Sequence, residues 1–380
     1  MSGCRRWDIF CKVVDNFGDA GVTWRLARQL VHEFDREVCL WLDDLAPLRL
    51  LAPGVDPAAD DQQITGVTIR RWHTEQLPPT DADVVIEAFA CHLPEMGLPA
   101  LAARTPPPVW LNLEYLSAED WVNDCHGLPS IHPQLPLTKY FFFPGFGVRT
   151  GGLLREQNLL AQRQAFRRDP TARTTFLANI GVQLPESTRL FSLFSYESPA
   201  IAHWLEALST AARPTLCLVP DGRAVPAVAD WLGQPVLLPG DRYGRGAVTV
   251  QVLPFLSQDS YDRLLWCCDF NMVRGEDSCV RAQWAGQPFG WHIYAQVDAA
   301  HLPKLEAFHA LYTATLSPAL AAALQRFALA WSGDGKVAAA WAELENHWPE
   351  WQQGASEWAA AQGARTDLAT ALVDFCEAHR

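Results

Sequence analysis

The chain has 380 residues, 49% of them hydrophobic and 19% charged, with a mean hydropathy of −0.04. This is the composition of a folded protein rather than a disordered one, and its length favours two domains, because a single core rarely grows past roughly 250 to 300 residues. The 43 acidic side chains against 30 basic ones leave a net charge of −13, which argues against a broad nucleic-acid surface of clustered Lys and Arg.

Short apolar runs alternate with longer amphipathic ones from the start: Ile9 to Val14, Val22 to Phe34 at helical spacing, Val38 to Leu42, then Val67 to Ile69, Val84 to Ile86 and Val109 to Leu113. Strand, helix, strand is the pattern of a parallel sheet. From Pro129 to Gly152 the chain becomes rich in Pro and Gly, and a first α/β domain over 1–152 is expected to end there. Residues 153–184 read as a connecting helix and an irregular stretch. A second alternation fills 185–354, with strands at Leu190 to Phe194, Leu216 to Val219, Val248 to Val252, Phe270 to Val273 and Phe289 to Trp291. Its helices are expected at Pro199 to Ala212, Ala224 to Leu232, Gln258 to Cys267 and Asp277 to Ala285. From Leu302 onward the pattern is helical, and the last helix, about 355–380, is compatible with packing on the first domain or staying with the second.

The ten cysteines show no C-x-x-C and no dense spacing, and read as reduced thiols. The start of the chain lacks the uninterrupted apolar run of a secretory signal, so a cytoplasmic location is expected. The most apolar later segment, Leu316 to Trp331, is broken by Pro318, Gln325 and Arg326, short of the roughly 20 residues a membrane span needs.

Two motifs stand where strands give way to helices. The first is Asp15-Asn16-Phe17-Gly18-Asp19-Ala20-Gly21, at the carboxyl end of the first strand, where open α/β sheets bind ligands. Its plain alternative is a turn, with Asp19 capping the helix. The second is Arg274-Gly275-Glu276-Asp277-Ser278, opening the helix from Asp277, where backbone N–H groups and Ser278 suit a diphosphate and Arg274 supplies charge. A helix cap is again the plain alternative.

Aromatic residues follow other strands of the second domain: Phe194 and Tyr196 after one, Phe255 with Gln258 and Tyr261 after another. Stacking rings and one amide would make a nucleoside pocket, although core packing is the commoner fate of any single ring. Asp81-Ala82-Asp83 has a metal-binding D-x-D spacing but precedes a strand, the wrong end of a sheet for a ligand. The scattered histidines show no metal-ligand spacing, so no metal is expected.

Three blocks carry a family resemblance: Phe10 to Asp19; Leu111-Asn112-Leu113-Glu114-Tyr115-Leu116-Ser117-Ala118-Glu119; and Val273 to Ser278 with Arg281-Ala282-Gln283 and Trp291-His292-Ile293-Tyr294. Together they closely resemble the EarP family, the bacterial protein-arginine rhamnosyltransferases that modify elongation factor P, over essentially the whole chain. The resemblance implies a B-type glycosyltransferase fold, two facing Rossmann-like domains with a central cleft. It implies dTDP-β-L-rhamnose as donor, an arginine of elongation factor P as acceptor, inversion at the sugar carbon, and neither metal nor cofactor. In that reading Asp19 is the base, with Asp15 beside it and Glu276 sharing the catalytic set. Arg274, Gly275, Glu276, Asp277 and Ser278 serve the diphosphate and sugar, together with Phe17 and Gly18. Phe194, Tyr196, Phe255, Gln258 and Tyr261 surround the thymine, and Glu114 is a candidate acceptor contact.

Two other classes stay open on the sequence. An NAD-dependent oxidoreductase fits paired α/β domains but lacks the G-x-G-x-x-G fingerprint. A non-catalytic binding protein for a translation factor would use the same carboxylates only as caps.

Overall fold

A computed structural model of the chain describes residues 3–14, 17–89, 91–295, 301–334 and 336–380. It divides into two compact units, one of residues 1–157 with 364–380 and the other of residues 158–363.

The first unit is built on β1 (Arg6–Cys11), α1 (Phe17–Phe34), β2 (Glu37–Leu42), α2 (Ala46–Leu51), β3 (Asp61–Ile64), β4 (Val67–Arg71), β5 (Val84–Ala88), α3 (Leu98–Ala102), β6 (Val109–Leu113), α4 (Val122–Cys125), β7 (Pro129–Ile131) and β8 (Thr138–Phe142). The strand order is β3-β4-β2-β1-β5-β6-β8-β7, parallel except where β3 and β7 return as edge hairpins. Strands β5 and β6 are buried along their whole length, as the continuous apolar runs of a two-sided parallel sheet require. Helix α1 buries Ala20, Trp24, Ala27 and Leu30, a stripe at helical spacing.

The first unit is completed by the chain's C-terminal helix, Leu368–Ala378. Asp367 caps it, accepting from the Ala369 and Thr370 N–H groups at 3.1 Å, and the same carboxylate accepts from Gln29 Nε2 of α1. Arg36 pairs with Glu377 at 2.5 Å, and Phe375 packs edge-on against Tyr140 and Phe142. The Asp81-Ala82-Asp83 stretch has a structural job here: Asp83 accepts from the Arg5 and Arg6 N–H groups and pairs with Arg380 at 2.6 Å. Asp83 is therefore buried rather than solvated, while Asp81 meets Arg6 at the exposed rim.

The second unit opens with α5 (Leu159–Arg168) and α6 (Ala172–Asn179), two helices where one connecting helix and an irregular stretch are expected from the sequence. It continues with β9 (Arg189–Leu193), α7 (Ala200–Ser209), β10 (Thr215–Pro220), α8 (Val225–Leu232), β11 (Arg242–Arg245), β12 (Val248–Leu253), α9 (Gln258–Cys267), β13 (Phe270–Arg274), α10 (Asp277–Ala285) and β14 (Phe289–His292). Helices α11 (His301–Tyr312), α12 (Pro318–Leu329), α13 (Val337–Asn346) and α14 (Trp348–Gly363) follow, and the C-terminal helix above is α15. The strand order is β11-β12-β10-β9-β13-β14, with only the β11 edge antiparallel. Its core is aromatic: Phe270 meets Trp204, Trp341 and Trp351 within 5.8 Å between ring centres.

The arginines of α5 and α6 explain why that stretch is ordered. Arg163 donates to Trp284 O, Arg167 to Ala285 O and Arg173 to Cys267 O at 2.6 to 2.7 Å, so they cap the ends of α10 and α9. Cations at helix C-termini satisfy orphan carbonyls and oppose the dipole. No helix among the described residues is long and apolar enough to cross a membrane.

Candidate active site

The described members of the expected site divide between the two units. In the first, β1 ends at Cys11 and the chain reaches α1 through a loop whose Asp15 and Asn16 lie outside the described residues. Phe17, Gly18 and Asp19 make the first turn of α1, with Phe17 and Gly18 half-buried and Asp19 only 3% exposed. Asp19 does not begin the helix as a cap would. It lies inside the first turn, and its carboxylate accepts from the Val14 N–H at 2.9 Å. A helix N-terminus favours a carboxylate there. The neighbouring Val13 N–H donates to Asp43 at 2.8 Å, so two carboxylates pin the loop.

Glu114 follows β6 and is half-buried, accepting from Asn112 Nδ2, while its own N–H donates to Phe142 O at 2.9 Å. The next residue, Tyr115, stacks on Phe89 with ring centres 5.1 Å apart. Phe89 has φ +58, a left-handed conformation that costs a bulky residue energy and tends to be kept at functional sites. Neither ring was singled out from the sequence, since strain at a Phe leaves no compositional trace.

In the second unit, β13 ends at Arg274 and Gly275 turns the chain with φ +62. This left-handed step, natural for glycine, carries the chain back so that Ser278 lies over Arg274. The Ser278 hydroxyl donates to the Arg274 carbonyl and accepts from the Arg274 N–H at 3.1 Å. It therefore closes the turn. Trp291 Nε1 donates to Gly275 O at 2.7 Å and secures the same turn.

The Arg274 guanidinium lies over two rings at once, 4.4 Å from the Phe194 ring centre and 4.9 Å from that of Tyr196. Cation–π contact holds such a group without neutralising it. Tyr261 packs against Phe194 at 5.4 Å, and Gln258 Nε2 donates to Asp277 at 3.4 Å. The Tyr261 hydroxyl has no hydrogen-bond partner among the described residues. Burial, helped by the Asp277 charge, pushes this phenol well above its usual range, so it stays protonated and able to donate. Phe255 is half-buried at the start of the same region.

Glu276 faces Lys304 of α11 at 3.6 Å. Lys304 is a cation beside the Arg274 to Ser278 motif that the sequence did not flag, because it lies 28 residues beyond Glu276 in a helix without a motif of its own. Ser195 and Trp331, which the sequence did not flag, and His292, quoted there only for the family resemblance, stand behind Arg274. His292 ends β14 directly opposite Arg274. Among the described residues no group of three or more His, Cys, Asp or Glu is placed to hold a metal ion.

With this geometry in place, comparison with known proteins decides the family. Residues 7–377 match the family described as Elongation-Factor P (EF-P) rhamnosyltransferase EarP. The chain belongs to the EarP family. It is 57% identical over 369 residues to a protein-arginine rhamnosyltransferase of Pseudomonas putida and 54% identical to one of Pseudomonas aeruginosa, covering 97% of this chain and 98% of each relative. A solved structure described as the structural basis for EarP-mediated arginine glycosylation of translation elongation factor EF-P is 44% identical, with a TM-score of 0.69 over 97% of this chain and 98% of that one. A UDP-GlcNAc 2-epimerase from Neisseria meningitidis, 9% identical with a TM-score of 0.51 over 98% of this chain and 99% of its own, shares the fold. The EarP chain described here has the B-type glycosyltransferase fold, two α/β units with parallel-dominated sheets.

Proposed function

We propose that the protein is an inverting enzyme that transfers L-rhamnose from dTDP-β-L-rhamnose to an arginine side chain of elongation factor P in the cytoplasm, without metal or cofactor. The observation that carries this reading is full-length similarity to proteins named for arginine rhamnosylation, joined to an arginine held over two rings at the start of α10.

The nucleotide end of the donor takes the rings of Phe194, Phe255 and Tyr261, with the Gln258 amide and the Tyr261 hydroxyl reading the edge of the base. Arg274 and the start of α10 take the diphosphate charge. A guanidinium has a pKa above about 12 and delocalised lone pairs, so it becomes a nucleophile only when oriented and relieved of a proton as the bond forms. Asp19 is assigned that role, with Asp15 as its neighbour in sequence. An ordinary Asp pKa near roughly 4 makes it a weak base in the ground state, so proton transfer comes late, after the bond to the diphosphate has lengthened and the sugar has oxocarbenium character. The guanidinium nitrogen bonds to the sugar carbon, the carbon–oxygen bond breaks with its electrons going to dTDP, and the proton goes to Asp19. Glu276, close to Lys304, is assigned to the sugar and its departing oxygen.

The deciding experiment incubates the protein with elongation factor P and dTDP-β-L-rhamnose and follows the acceptor by intact mass and fragment mapping. One deoxyhexose on one arginine is expected. A stable complex with no mass gain would favour a non-catalytic binding protein.

A further inference from the structure

Behind the Arg274 guanidinium lies a buried polar chain that the reaction scheme above does not use. Arg274 Nη1 donates to the Ser195 carbonyl at 3.3 Å. The Ser195 hydroxyl lies 2.7 Å from His292 Nδ1, and Trp331 Nε1 donates to that same hydroxyl oxygen at 3.4 Å. His292 also meets the Tyr196 ring edge-on, 5.3 Å between centres. Ser195 and Trp331 are each 1% exposed and His292 and Arg274 8%. Unmade hydrogen bonds at such depth are expensive, so these contacts hold one arrangement rather than several.

An indole N–H can only donate, so the Ser195 oxygen accepts from Trp331. The Ser195–His292 hydrogen bond runs in the direction that the imidazole tautomer sets. Burial first, then the neighbouring Arg274 and His301 charges, push His292 down to about 4 against the weaker pull of Glu197. A protonated ring would place a second positive charge beside Arg274.

We propose that Ser195 and His292 are positioning residues of the donor site: their hydrogen bond locks the Phe194 to Tyr196 turn so that both rings and the Ser195 carbonyl hold the Arg274 guanidinium aimed at the donor's phosphates. This rests on the reading of Arg274 as a phosphate contact. Phe194, ahead of Ser195, is held to the sheet by its N–H, which donates to Met272 O. The side chain of Ser195, tied to the end of β14, holds the next residue of this segment.

The test is calorimetric titration of dTDP into the wild-type protein and variants, with transfer rates measured across donor concentration. Ser195→Ala and His292→Leu should each weaken dTDP binding and raise the donor KM by about three- to tenfold, the range of one or two lost hydrogen bonds, with kcat within about twofold. His292→Asn keeps an amide able to donate or accept where Nδ1 lies and should restore most of the affinity. Unchanged dTDP affinity in folded Ser195→Ala and His292→Leu overturns the proposal, as does His292→Asn binding as weakly as His292→Leu. Should those variants fail to fold, Trp331→Phe removes the indole N–H while keeping an aromatic ring in the core: weaker dTDP binding at near-wild-type thermal stability supports the chain of contacts and unaltered binding refutes it. A wild-type protein that binds no dTDP overturns the donor assignment itself, an outcome distinct from equal binding by all forms.

Discussion

Asp262 and Arg281 form a two-pronged ion pair between α9 and α10, at 3.0 and 2.6 Å, with side chains only 6% and 2% exposed. Each stands one helical turn beyond another cross-linked residue: Asp262 after Gln258 and Arg281 after Asp277, which are themselves joined at 3.4 Å. Residues four apart share a helix face, so two cross-links one turn apart fix how the start of α10 meets α9. Charge buried this deeply is tolerated only when paired.

Arg281→Ala should therefore cost about 3 to 5 kcal/mol of stability, because it strands the Asp262 carboxylate in the core. Replacing both partners, Asp262→Leu with Arg281→Met, should recover most of the loss. Denaturant titration of the second unit's transition reads both effects. A single variant within about 1 kcal/mol of wild type would show the pair is no structural tie.

Asp19 and Arg274 should separate cleanly in kinetics. Asp19→Asn should abolish transfer while donor affinity stays close to wild type, since it removes proton acceptance in the transition state. Arg274→Ala should weaken donor binding by about 10- to 100-fold, the worth of a charge-assisted contact. Calorimetry beside single-turnover transfer distinguishes them, and near-normal transfer by Asp19→Asn would pass the role to Asp15.

Ser278→Ala has a different signature from the one its position in a phosphate motif suggests. Its hydroxyl is committed to the Arg274 backbone, so the variant should loosen the turn and lower thermal stability as well as donor affinity. A loss of affinity at full stability would place the hydroxyl on the ligand instead.

Transfer should survive exhaustive chelation of divalent ions, because the leaving charge is assigned to Arg274 and the start of α10. Activity lost to chelator and restored by magnesium or manganese would contradict that assignment.

Acid should destabilise the second unit through two histidines. Burial pushes both His292 and His309 down to about 4. Below about pH 6.5 the unfolded chain takes up protons that the folded one refuses until about pH 4, so stability falls progressively through that window. At pH 5 each histidine accounts for about 2 kcal/mol. Unfolding of His309→Gln should lose correspondingly less between pH 7 and 5 than wild type, and identical losses would show that His309 titrates normally.

Where local chemistry is strong, the elements were legible in full. Helices α9 and α10 begin and end at the residues read from the sequence, because Ser257 caps one, accepting from the Ser260 N–H at 3.4 Å, and Gly286 ends the other in a left-handed turn. The alternation of apolar runs likewise announced the parallel strands, and the residues quoted for the family resemblance needed no coordinates. The edge strands β7 and β11 were not legible: all their residues are exposed, and only the partner strand makes them strands.

The chain order of strands and helices, the carboxylates and the Arg-Gly-Glu-Asp-Ser motif are properties of the sequence alone, since each is written in neighbouring residues. Other features joined residues tens to hundreds of positions apart. Tertiary structure alone made α5 and α6 ordered caps for α9 and α10, turned the Ser278 hydroxyl inward, and set Ser195, His292 and Trp331 behind Arg274. It also returned α15 to the segment ahead of β1, where Cys4 Sγ donates to Cys376 O across 372 residues. Those contacts are decided by burial, because a polar group withdrawn from water must find a partner wherever the fold places one.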